Sequence, residues 1–173
     1  MPKPAKLVIG FFLKEKNLAA SVVKALTEKF GPVDVVSSWV PFNFTTYYET
    51  EMGQPLFRRM LSFERLIKQS ALSEIKPITN DLELAYSNNG KRMVNVDPGY
   101  LLRERFVLAT GKNYSHRIYI GQGIYADLTL IYTKGRFIKL PWTYPDYAQQ
   151  NMLNYLERVR NKYVIDLKRI DKG

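Results

Sequence analysis

Four short polar stretches of this 173-residue chain hold the side chains that could do chemistry. His116 is the only histidine, and histidine is the side chain that most readily exchanges protons near neutral pH. Arg117 follows it directly and would serve as a clamp for an anion. Glu49 and Glu51 stand two positions apart in Tyr47-Tyr48-Glu49-Thr50-Glu51-Met52-Gly53. Carboxylates so close either share a hard cation such as Mg2+ or divide into an acid and a base. Asn95, Asp97 and Gly99 occupy alternate positions of Asn95-Val96-Asp97-Pro98-Gly99-Tyr100. Asp97 would work with His116 in proton transfer, while Asn95 and Gly99 would contact the ligand.

Each stretch also has a plainer explanation. Asp97 before Pro98 is the pattern of a helix N-cap followed by proline at the first helical position. Such a strand-to-helix junction also presents free N–H groups to an anion. A lone histidine is often structural, and two glutamates in a loop are often only solvated. Asp127 alternates with apolar neighbours, which suits the solvent face of a strand. In Trp142-Thr143-Tyr144-Pro145-Asp146-Tyr147, Thr143 and Asp146 have capping-box spacing, and Trp142 and Tyr147 match a hydrophobic staple.

The elements that must position these residues follow from apolar periodicity. Leu7–Leu13 is a continuous apolar run suited to a buried strand. Leu18, Val22, Ala25, Leu26 and Phe30 recur at helical spacing and stop at Gly31-Pro32. Val33–Phe44 and Phe57–Ile67 predict two further strands, so the chain opens as a βαβ unit. Ser73–Tyr86 predicts a helix ended by Asn88-Asn89-Gly90, with Pro77 near its first turn. Arg92–Val96 predicts a strand, then a helix through Leu102, Phe106 and Ala109 to Gly111. From His116 the pattern alternates, turning at Gly121-Gln122-Gly123 and Lys134-Gly135, which predicts an antiparallel meander. A last helix begins near Tyr144 and runs to about Tyr163. The expected fold is a single α/β (α+β) domain over residues 1–173, a mixed sheet with helices packed on it.

Composition narrows the function classes. The chain has no cysteine, which excludes disulfides, thiolate zinc sites and iron–sulfur clusters. The basic start and short apolar run lack a signal-peptide cleavage pattern, and no stretch approaches ~18 apolar residues, so a cytoplasmic location and no membrane span are expected. The formal charge of +10 is spread evenly along the chain. It favours anionic partners: a small molecule or nucleotide, or a nucleic acid. The 12 tyrosines equally suit a homo-oligomeric assembly surface. No phosphate loop, dinucleotide turn, nucleophile elbow or zinc helix motif is present.

The order Tyr47-Tyr48-Glu49-Thr50-Glu51-Met52-Gly53, Asn95-Val96-Asp97-Pro98-Gly99-Tyr100, His116-Arg117-Ile118-Tyr119 and Trp142-Thr143-Tyr144-Pro145-Asp146-Tyr147 resembles a small bacterial family catalogued as a domain of unknown function. The resemblance covers nearly the whole chain. Some members carry a "GTP-binding protein" label, but Asn161-Lys162-Tyr163-Val164 lacks the final Asp of a guanine motif. The resemblance implies a bacterial, cytoplasmic, single-domain protein and no particular activity. The residues themselves favour a small enzyme or ligand-binding domain with a polar cleft for an anionic small molecule such as a nucleotide. RNA binding by the basic surface and assembly into a homo-oligomer are the alternatives.

Overall fold

Long apolar alternation and turn residues build one large sheet, seen in the computed structural model, which describes residues 1–171. The chain runs β1 (Ala5–Leu13), α1 (Ala19–Phe30), β2 (Val33–Val36), β3 (Val40–Pro41), the short α2 (Glu49–Met52), β4 (Phe57–Ile67) and α3 (Leu72–Ala85). It continues with β5 (Ser87–Asn88), β6 (Lys91–Arg92), β7 (Val94–Leu101), β8 (Arg105–Thr110), β9 (Arg117–Gly121), β10 (Ile124–Thr133), β11 (Arg136–Lys139) and α4 (Gln150–Ile170). Sheet order is β11-β10-β8-β7-β1-β4-β2, with β3 added to β4 and β9 to β10. Every pairing is antiparallel. The opening βαβ unit is therefore a split one, because β1 and β2 run the same way on either side of β4.

β1 is buried along its whole length, and its period of two divides the core. Leu7, Ile9, Phe11 and Leu13 meet Val22 and Leu26 of α1 and Ile75 of α3 on one face. Val8 and Met60 meet Tyr155, Leu156, Val159 and Tyr163 of α4 on the other. Helices thus cover both faces of an antiparallel sheet. No helix among the described residues is long and apolar enough to cross a membrane.

Three local expectations are corrected. Asn89 and Gly90 both have positive φ (50° and 73°) and form a two-residue hairpin turn between β5 and β6, not a helix stop. The expected helix from Pro98 to Gly111 is instead the end of β7 and all of β8. Asp97 is accordingly a strand residue and caps nothing. Proline survives there for a reason: the Val96 N–H points away from β1 to Glu83, and Pro98, two residues on, directs its missing N–H to that same unpaired edge. The last helix starts later and runs further than expected, with a 3-10 turn at Pro145–Ala148 before it.

β8 pairs with β7 only from Gly99 to Leu101, so the sheet parts upstream of Gly99. A Cβ on Gly99 would lie 2.5 Å from the Val107 carbonyl oxygen and 3.0 Å from a Leu108 methyl. Glycine is needed for this close approach. Gly99→Ala should cost about 1–3 kcal/mol by overpacking, read as a lower urea midpoint at unchanged slope. An unchanged midpoint would show that β8 can shift aside.

Candidate functional site

Along the free edge of β7, side chains of α3 replace a strand partner. Glu83 Oε1 accepts the Val96 N–H at 2.7 Å, and Lys76 Nζ donates to the Val96 carbonyl at 3.0 Å. Lys76 and Glu83 stand seven residues apart, two helical turns, and so reach the same strand edge. Burial raises the Glu83 carboxyl above its ordinary range, against the opposing charge of Lys76.

Arg92, delivered by the β5–β6 turn, is the hub of this group. It grips Glu51 through Nε at 2.7 Å and Nη2 at 2.9 Å, and donates through Nη1 to Glu83 at 3.1 Å and Asn95 at 3.0 Å. The bidentate hydrogen bond from Arg92 holds Glu51 below the usual carboxylate range. Asn95 Nδ2 in turn donates to Asp97 Oδ2 at 2.7 Å. Asn95 and Asp97 share a face of β7, as their alternation predicts. Glu49 begins α2 and is not joined to Glu51. Among the described residues no group of three or more His, Asp or Glu side chains is gathered about a point where a metal could sit.

Asp97 is partly open, its side chain 29% exposed. Arg58 Nη2 lies 3.7 Å away and Lys76 Nζ 3.9 Å away, both longer than a direct hydrogen bond. Arg58 comes from β4, where Arg58 stands across β1 from Asn95 through Phe12. It is buried over the rings of Phe42 (4.6 Å), Tyr147 (5.0 Å) and Phe12 (5.5 Å), and its Nη1 donates to Asp146. Burial and then the Asp97 charge push the Tyr48 phenol up to about 12.

A second group forms where β9 and β10 pair. His116 Nε2 lies 3.0 Å from Asp127 Oδ2, and Arg117 Nε reaches the same oxygen at 2.9 Å. An ionised carboxylate only accepts, so the imidazole donates through Nε2 and keeps Nδ1 for other work. Asp127 is 6% exposed, so the expected solvent-face position is corrected: it is a buried orienter. His116 precedes the first residue of β9, which frees it from strand alternation and lets it share a partner with Arg117. Trp142 stacks on His116 with ring centroids 5.0 Å apart and donates to the Leu128 carbonyl at 2.7 Å. Thr143 is committed to Thr129 and Asp146 to Arg58. The capping-box reading is thereby corrected, and the 3-10 turn has no side-chain cap.

The fourth stretch ties the groups together. Trp142 sits on His116, the Tyr144 hydroxyl lies 3.5 Å from Arg117 Nη2, and Asp146 holds Arg58. Lys112 Nζ donates to the Tyr47 hydroxyl at 3.3 Å, a second link between the two sides. All four polar stretches therefore join one chain of contacts. Sequence reasoning missed Arg58, Lys76, Glu83, Arg92 and Tyr48. The two-turn spacing of Lys76 and Glu83 beside buried Ile75 and Thr79 was a usable signal; Arg58 had none, because its partner Asp146 is 88 positions away.

A family model described as Domain of unknown function (DUF4416) matches residues 3–163. No curated protein and no solved structure matches the chain.

Proposed function

The chain belongs to the family of that domain of unknown function, and we propose that it is a ligand-binding domain whose Asp97 site takes an anionic, hydroxyl-bearing small molecule of the nucleotide class. The observation that carries the reading is the gap around Asp97: two cations stand 3.7 and 3.9 Å from its carboxylate without bonding it directly. A hydroxyl both donates and accepts, so it would donate to Asp97 while accepting from Arg58 or Lys76. Vicinal hydroxyls of a ribose offer two such groups. The cluster itself offers no net positive charge, with the three cations Arg58, Lys76 and Arg92 facing the four carboxylates Glu51, Glu83, Asp97 and Asp146. The anionic part of the ligand would be met outside it, towards Lys112, and a base would stack on exposed Tyr47 or Tyr114. In an enzymatic version, His116 aligned by Asp127 is the proton carrier. A cytoplasmic location fits a ligand of this class.

The test is equilibrium dialysis of the full chain against AMP, GMP, CMP and UMP. At least one should bind saturably, and Asp97→Asn should weaken it at least tenfold, as should its 2′-deoxy form. His116→Gln should leave binding nearly intact. Failure of all four, or wild-type affinity in Asp97→Asn, would overturn the reading.

One observation favours RNA as a second reading. Tyr114, Ile118, Tyr119 and Tyr144 are all more than half exposed around the edge strand β9, and exposed rings in a basic field stack on bases. That reading requires binding that weakens steeply with salt.

A further inference from the structure

The sheet face beneath α4 contains a cavity of about 200 Å3, bounded by the β2–β3 connection, β4 and the first three turns of α4. Its floor includes buried Arg58 and its rim exposed Ser38, Asn151, Asn154 and Arg158. No carboxylate lines it. Arg158 forms no ion pair among the described residues. On a chain where Lys6, Arg58, Arg92 and Arg117 are all neutralised by acids, a cavity that adds to Arg58 a second arginine with no acid partner, and no carboxylate in its lining, stands apart.

The neutral groups point the same way. Asn151 Oδ1 accepts the Met152 N–H at 2.8 Å, and Asn154 Oδ1 accepts Gln150 Nε2 at 2.7 Å. With both amide oxygens engaged, the NH2 groups are what these asparagines have left to offer. Arg58 is 4% exposed, and its Nε is buried without any hydrogen-bond partner. The first turn of the 21-residue α4 adds the N–H groups of Gln150 and Asn151, which have no partner within the helix, and the positive end of its dipole. The volume corresponds to about seven waters at ~30 Å3 each, enough for a tetrahedral oxyanion with a short organic tail.

We infer that this cavity is a binding site for a phosphate group, held by Arg58 and Arg158 with Asn151, Asn154 and Ser38 as neutral donors. It is separate from the Asp97 site: Arg58 contributes to both, but Arg158 and the asparagines belong to the cavity alone. The phosphate chemistry is common to inorganic phosphate and to a small phosphomonoester, and 200 Å3 admits either.

The experiment is a calorimetric titration of the full chain with inorganic phosphate and with glycerol 3-phosphate, against chloride at matched ionic strength. Saturable binding of either phosphate, absent with chloride, is expected. Arg158→Gln should weaken it at least tenfold, and Asn154→Leu severalfold. Both residues are exposed, so both variants should fold. Tighter binding of glycerol 3-phosphate than of phosphate would support the site and assign it to a monoester; the reverse order would support it and assign it to the free ion. Arg158→Gln should bind nucleotide like the wild type, which keeps this outcome distinct from the nucleotide reading. Equal response to chloride and phosphate, or unchanged affinity in Arg158→Gln, would overturn the inference.

Discussion

Lys6→Met should destabilise the protein by about 3–5 kcal/mol, the cost of leaving a buried charge without its partner. Lys6 is completely buried in β1 on the face beneath α4. Its ammonium pairs with Asp34 of β2 and, at 2.8 Å, with Asp166 of α4. Lys162 and Ser62 complete the group around the same two carboxylates. One lysine therefore pins the sheet edge and the last helix to the central strand. Against a typical total of about 5–15 kcal/mol, such a loss would leave a large unfolded fraction, visible as a lower urea midpoint. The combined change Lys6→Met, Asp34→Leu and Asp166→Leu should recover much of it, since replacing a whole buried ionic group by apolar residues is often neutral or better. A single variant within about 1 kcal/mol of wild type would refute the buried-pair argument.

The same group has a pH signature. Burial alone would push the Asp166 carboxyl up, but hydrogen bonds from Lys162 and Lys6 outweigh it and hold the group below its ordinary value of 3.8. A folded-state pKa below the unfolded one contributes stability that is present above the unfolded value and is lost as pH falls through the folded value. Lys6→Met removes one of the two donors, so the stability of the variant should depend less steeply on pH below about 4.

Arg58→Met should cost a similar ~3–5 kcal/mol for the same physical reason, and its consequences reach further. Asp146 is 8% exposed and its side chain pairs with Arg58. Deleting the guanidinium strands that carboxylate just where the chain enters α4. It also empties the space among Phe12, Phe42 and Tyr147, whose rings hold the cation. Arg58→Lys should rescue little, because a point charge cannot hold Asp146, face Asp97 and lie flat on the rings together. A double-mutant cycle of Arg58→Met with Asp146→Asn is the measurement. A coupling energy of at least about 1 kcal/mol is expected, and additivity would show that the two side chains do not share the energy. Because Arg58 borders both proposed sites, its loss should abolish phosphate and nucleotide binding together, whereas Arg158→Gln and Asp97→Asn separate them.

Other features of the fold explain why the candidate site sits where it does. β7 is bonded on one side to β1 along its whole length, but on the other to β8 only at its last three residues. Elsewhere on that edge Lys76 and Glu83 satisfy the backbone of Val96, so the charged side chains there are structural and locally available at once. Asp97 lies on this stretch, with Tyr48 and Arg92 brought to it by α2 and the β5–β6 turn. The polar concentration follows from an interrupted strand pairing, which leaves backbone groups that only side chains or water can satisfy.

Local sequence was sufficient for several elements whose signal is periodic and bounded by turn residues, although the expected strand Val33–Phe44 is two short strands, β2 and β3. β4 appears as read, α3 is displaced by one residue at each end, and the meander of β9, β10 and β11 turns at Gln122-Gly123 and Lys134-Gly135 as expected. Asn95 and Asp97 were legible as neighbours because strand alternation alone puts them on one face. The stretch from Pro98 to Gly111 was not legible: Leu102, Phe106 and Ala109 fit a helical period, and only pairing with β1 and β10 makes strands of the segment. Tertiary structure alone decided the ionic partners. Lys6 and Asp166 are 160 positions apart and Arg58 and Asp146 are 88 apart. Periodicity speaks for about one turn or one strand at a time; a charge is satisfied by whatever the finished fold carries to it.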